Sequence, residues 1–138
     1  MASTITQTLY FDGDDWKVVK LACAADATPS AFAATAIDPA IKAKVREWGL
    51  YKVGYNVGAT APTANSDLTI TDFIGHDVLG GSGANLLTTV DGEALPLIGT
   101  QPAVQPYIGT WTVNVTQEAA ATASAVFDIY LYFKRWMS

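Results

Sequence analysis

The stretch DFIGHDVLGGSGANLL, residues 72–87, gathers the chain's only histidine, two aspartates, a serine and four glycines into sixteen positions. These are the residue types of nucleophilic catalysis: a hydroxyl to attack, an imidazole to take its proton, a carboxylate to orient the imidazole. Gly80, Gly81, Ser82, Gly83 and Ala84 have the form of a nucleophile elbow with alanine in last place, which would make Ser82 the attacking group. The elbow needs a strand-to-helix turn of a large parallel sheet and a base that follows the serine in the chain. Here His76 precedes Ser82, and no other histidine exists to serve. A phosphate cradle is excluded as well, because the Lys-Ser/Thr ending of a P-loop is missing and Leu86 stands where a dinucleotide fingerprint needs its third glycine. The expectation is a glycine-rich structural loop with no catalytic residue.

Metal and cofactor chemistry find no better footing. His76 has only Asp72 and Asp77 nearby in sequence, and Cys23 is the sole cysteine, so neither builds a ligand set at metal spacing. DGDDW (12–16) clusters three aspartates, but Trp16 and Lys17 break the pattern of a calcium loop, and a hairpin turn is the simpler reading. Asp91 and Glu93 flank a turn glycine, where solvated carboxylates are ordinary. Catalytic, metal and cofactor-binding residues are therefore assigned to none, and no small-molecule substrate is expected.

Half of the 138 residues are hydrophobic and 15% are charged, a composition that folds. No apolar run approaches the roughly 18 residues of a membrane-spanning helix, so no membrane partner is expected. The start MASTITQTLYF lacks both a basic opening and a continuous apolar segment, which gives the expectation of synthesis in the cytoplasm. With a net charge of −5 and eight scattered basic residues, the chain lacks the positive stripe that grips phosphates, and nucleic acid is not an expected partner.

The elements that must position these residues read as strands. AVFDIYLYFKR sets Phe127, Ile129, Leu131 and Phe133 against Asp128, Tyr130, Tyr132 and Lys134, the period of two that gives one dry face. GTWTVNVTQ does the same with Trp111, Val113 and Val115, and the spacing predicts an antiparallel pair between these two segments. TITQTLYF and WKVVKLAC form a hairpin around DGDD, where Asp-Gly is expected to supply a positive φ. LYKVGYNV places Tyr51, Val53, Tyr55 and Val57 on one face, and SDLTITDF sets Leu68 and Ile70 against threonines. Residues 86–110 read as a long excursion with one or two short edge strands. DPAIKAKVREWG offers Asp38 as N-cap, Pro39 at the first helical position and Gly49 as stop, yet residues 38–48 suit an extended segment equally well. The fold expected is all-β, a single antiparallel β-sandwich or jelly-roll domain over 1–138 with at most one short helix.

Four tryptophans and six tyrosines exceed what one such core must hold. Alternation puts Tyr130 and Tyr132 opposite the apolar row, and Arg135 and Trp136 follow in the tail KRWMS. Aromatic side chains with a polar handle are enriched where proteins touch. The candidate protein interface is therefore Tyr130, Tyr132, Arg135 and Trp136.

The order of segments, WKVVKLAC, then VREWGLYKVGYNV, then GHDVLGGSG and a final GTWTVNVT…AVFDIYLYFKR, resembles small virion structural proteins of tailed bacteriophages, of the jelly-roll or β-sandwich kind that decorate or cement a capsid. The resemblance implies a non-enzymatic protein, commonly a homotrimer, located on the capsid surface and bound to the major capsid protein. It transfers no functional residues. A tail, neck or receptor-binding fibre component and a carbohydrate-binding module are the alternatives.

Overall fold

A computed structural model describes residues 3–25, 32–62, 66–116 and 125–135. Strands β1 (Thr4–Asp12) and β2 (Trp16–Ala24) form the expected hairpin. β3 (Thr35–Ala36) and one helix, α1 (Pro39–Val45), lead into β4 (Trp48–Val57), followed by β5 (Asp67–Thr71). The excursion carries four short strands, more than expected: β6 (Gly92–Ala94), β7 (Leu97–Ile98), β8 (Gln101–Pro102) and β9 (Gln105–Pro106). β10 (Thr112–Thr116) and β11 (Val126–Arg135) close the chain of elements. All described pairings are antiparallel.

Among the described residues, a six-stranded sheet runs β1-β2-β11-β4-β6 with β9 also on β4, a three-stranded sheet runs β3-β10-β5, and β7 pairs with β8. The two larger sheets make an all-β sandwich. Its filling comes from dry faces read in the sequence, Ile129, Leu131 and Phe133 from one layer and Leu68, Ile70, Val113 and Val115 from the other, joined by Val19 and Leu21 of β2. Trp111 is buried in this core, its ring 4.6 Å from that of Tyr107 and 6.2 Å from that of Phe133. A buried aromatic or branched side chain contributes about 1.5–3 kcal/mol over leaving it in water, so this layer is the main source of stability.

Four expectations are corrected. The last two long strands do not pair: β11 lies between β2 and β4, while β10 lies between β3 and β5. Each has one dry face, and they turn those faces toward each other across the core instead of sharing hydrogen bonds. Residues 38–48, open between helix and strand in the sequence, are helix and then strand, and the expected stop at Gly49 is overturned. Asp38 stands at the N-cap without a side-chain cap bond, and the helix is left through Glu47 at φ 71, not through Gly49, which is already in β4. Tyr51 is exposed while its neighbour Leu50 is buried, because the β4–β11 register slips between Tyr132 and Phe133 and turns Tyr51 over. Gly13 does not adopt the positive φ expected of the Asp-Gly turn. Its lack of a side chain matters for space instead, since a Cβ there would lie 2.6 Å from the Phe11 ring.

Candidate functional site

The chemically suggestive loop serves the fold. Asp77 receives the backbone N–H groups of Ile70 and Leu79 on Oδ1, both at 3.1 Å, and that of Gly81 on Oδ2 at 2.9 Å. Asp72 receives those of Ile74 at 3.1 Å and His76 at 2.9 Å. The backbone then runs along β5: Val78 N–H donates to the Ile70 carbonyl at 2.7 Å and Leu68 N–H to the Gly83 carbonyl at 3.0 Å. Gly83 must be glycine for this approach, since a Cβ would stand 2.1 Å from the Leu68 carbonyl oxygen. His76 is exposed, and among the described residues the Ser82 hydroxyl is buried without a hydrogen-bond partner, with no imidazole or carboxylate bonded to it.

Other carboxylates are equally engaged. Asp12 forms an ion pair with Lys17 and lies 3.9 Å from Lys44, and the Lys17 ammonium holds its carboxyl below the usual aspartate range. Asp91 accepts the Val57 N–H at 2.8 Å, and Asp67 that of Asn85 at 2.7 Å. No group of three or more metal-ligating side chains occurs among the described residues. Cys23 is buried, and desolvation pushes its thiol up to about 12, far from the thiolate needed for reactivity.

The outer face of the six-stranded sheet is different. Register places Thr8, Lys20, Tyr130, Gly54 and Glu93 in one row across it, and Phe11, Val18, Tyr132 and Lys52 in the next. Gly54 leaves a trough between the tyrosines of β11 and the segment 91–93: a Cβ there would touch the Tyr132 ring at 3.4 Å. The resulting groove, about 740 Å³, has Tyr10, Tyr130 and Tyr132 on one side and Asn56, Asp91 and Glu93 on the other. A second hollow of about 470 Å³ continues over Phe11, Trp16 and Tyr51.

The aromatic rings are held by one another. Tyr10 meets Tyr130 edge to face at 5.4 Å, and Trp16 meets Tyr51 at 5.2 Å. Lys52 reaches the Tyr132 ring at 4.6 Å and Glu93 at 2.7 Å, and Glu93 raises its pKa. Burial, then the charge of Asp128, raises the Tyr130 phenol, keeping its O–H a donor. Tyr10 remains 61% exposed, Phe11 54% and Tyr51 40%, an amount of ring surface that isolated surface residues do not gather.

Of the four residues singled out for contact, Tyr130 and Tyr132 lie together in this groove. Arg135 sits apart, at the end of β11, opposite Trp48 and beside Lys17 and Glu47 around another hollow. Trp136 falls outside the described residues. Sequence reading missed Tyr10, Phe11, Trp16 and Tyr51 as members of the same face. Two signals were present: the consecutive rings of Tyr10 and Phe11, which break the period of two and mark a bulge, and Gly54 inside a strand.

The chain matches no family model, and searches of curated proteins and of solved structures find no match to it either.

Proposed function

We propose that the protein is a non-enzymatic virion structural protein of the decoration or cement kind, binding the shell of a phage head and copies of itself through protein–protein contacts. The observation that supports it most is the aromatic outer face, with Tyr10, Phe11, Trp16, Tyr51, Tyr130 and Tyr132 held in place on a rigid sheet. Such a surface has a large apolar area at low cost in side-chain entropy, the composition of contact hot spots. Repetition of a modest contact over a symmetric shell makes it strong. The proposed location is the virion capsid surface, with the major capsid protein as partner.

Cosedimentation of purified protein with phage head shells tests this reading. Saturable binding is expected, and Tyr10→Ser/Phe11→Ser should weaken it roughly tenfold or more, as loss of a central aromatic anchor does. A folded protein that ignores shells, or whose binding survives that change, argues against it. A tail or fibre position would show instead as labelling of those parts of a particle by an antibody to the protein.

A carbohydrate-binding module is the second reading, favoured by the trough over Gly54, where rings on one side and Asn56, Asp91 and Glu93 on the other suit the faces and hydroxyls of a sugar. Retention on an insoluble polysaccharide, lost in Tyr130→Ala, would move the assignment there.

A further inference from the structure

β1 ends the six-stranded sheet, and among the described residues no strand pairs with its outer edge. An unpaired edge presents a row of backbone donors and acceptors that templates another strand. Proteins usually blunt it with lysine, proline, a bulge or a covering loop. β1 has nine residues, TITQTLYFD, with neither lysine nor proline, and its single irregularity lies between Leu9 and Phe11. Among the described residues, the run Thr4–Leu9 is an open edge.

Its sequence also says what fits there. About Gln7 the strand reads nearly the same in both directions: Thr6 mirrors Thr8, and Ile5 mirrors Leu9. Two such strands, antiparallel about a two-fold axis through Gln7 and perpendicular to the sheet, place directly opposite residues on the same face. Ile5 then meets Leu9 of the second copy on the inner face, and Thr6 meets Thr8 of the second copy on the outer. Ile5 and Leu9 are only half-buried in the single chain and gain cover from this pairing. Gln7 is already fixed, its amide donating to the Ala36 carbonyl at 2.8 Å and accepting the Asp38 N–H at 2.9 Å.

We propose that β1 is the seam of a two-fold dimer, in which it pairs antiparallel with β1 of a second copy about Gln7 and joins two six-stranded sheets into one. The interface is isologous, the self-complementary form a two-fold axis requires. Register is specified by the match of apolar to apolar on the inner face. Because the axis stands perpendicular to the sheet, both aromatic faces look the same way, which gives a docking unit two equivalent grips on one surface. The inference rests on the reading of the protein as one that binds copies of itself, and it makes the unit a pair where the family resemblance implies a trimer.

Sedimentation velocity on the full chain over a micromolar concentration series tests it, with circular dichroism to confirm folding of each variant. Wild type should sediment as a dimer. Thr6→Lys/Thr8→Lys sets like charges opposite each other at both symmetric pairs and should raise the dissociation constant roughly tenfold or more. Thr6→Lys/Thr8→Glu sets opposite charges there and should return it to within about threefold of wild type. A wild-type monomer or trimer overturns the seam, as does a dimer indifferent to the double lysine change, or two variants equally dissociated while folded. A monomer that still cosediments with shells would sink the seam and leave the docking reading standing. A dimer of the expected charge dependence that binds no shell would do the reverse.

Discussion

β5 and β1 each end a sheet, and the chain treats them in opposite ways. Along β5 the loop 76–87 supplies a partner for the Ile70 N–H, the Ile70 carbonyl and the Leu68 N–H, and an antiparallel bridge joins Ser66 to Leu87 beyond them. Along β1 no described residue does so. Asp77, Gly83 and the backbone of the loop that resembles a reaction centre close one edge, while the plain alternation TITQTL leaves the other able to accept a strand. A residue type that could do chemistry is thus a poor guide to where the molecule meets its surroundings.

The strongest way to break this contrast is to uncap β5. Asp77→Ala removes a carboxylate that satisfies three backbone donors and should cost about 3 kcal/mol, read as a lower denaturant midpoint. It should also turn β5 into a sticky edge, with aggregation on mild heating. Asp77→Asn, which keeps an acceptor oxygen, should lose less. If Asp77→Ala is as stable as wild type, the loop is not a cap.

Gly83→Ala probes the same contact from the other side. A Cβ 2.1 Å from the Leu68 carbonyl oxygen must push the loop off the strand, at about 1–3 kcal/mol. Amide exchange at Leu68 should quicken in this variant, while that of β2 and β11 stays slow.

Tyr55 holds the far end of the capping segment, its hydroxyl donating to the Thr88 carbonyl at 2.6 Å. Burial, and then the charge of Asp91, push its phenol up to about 12 from an ordinary 10.0. A group whose folded pKa is raised contributes stability that is whole below its unfolded value and is lost as pH rises through the folded one. Stability should therefore fall between about pH 10 and pH 12. Tyr55→Phe, about 1 kcal/mol less stable at pH 7 for the lost hydrogen bond, should show a shallower fall over that range. Equal slopes would mean that other tyrosines carry the alkaline response.

Alternation made the dry faces of β5, β10 and β11 legible, because the period of two survives wherever one side of a strand meets the core. It could not say that β10 and β11 face each other across the filling, since a dry face is silent about its hydrogen-bonded neighbour. Tyr51 was assigned to the wrong face because the slip at Tyr132 and Phe133 depends on packing between strands distant in sequence. Tyr130 and Tyr132 were found from their own strand alone, whereas Tyr10, Phe11 and Trp16 join them only through the registers of β1 with β2 and β2 with β11. The cap on β5 was invisible for a related reason: Asp77 acts on Ile70 through a backbone donor, and no side-chain pattern records that.

The smallest effects sharpen the comparison most, because they separate covering an edge from performing a reaction. His76 is exposed and its backbone, not its ring, takes part in the loop, so His76→Ala should leave the denaturant midpoint within about 0.5 kcal/mol of wild type. The Ser82 hydroxyl is buried without a partner among the described residues, a state that costs free energy, so Ser82→Ala should be neutral or stabilising by up to about 1 kcal/mol. A nucleophile would behave otherwise, since its activation needs a hydrogen bond that its removal would break. A clear loss of stability in Ser82→Ala would therefore show that the hydroxyl has a partner in solution, and the loop would have to be reconsidered as a site instead of a cap.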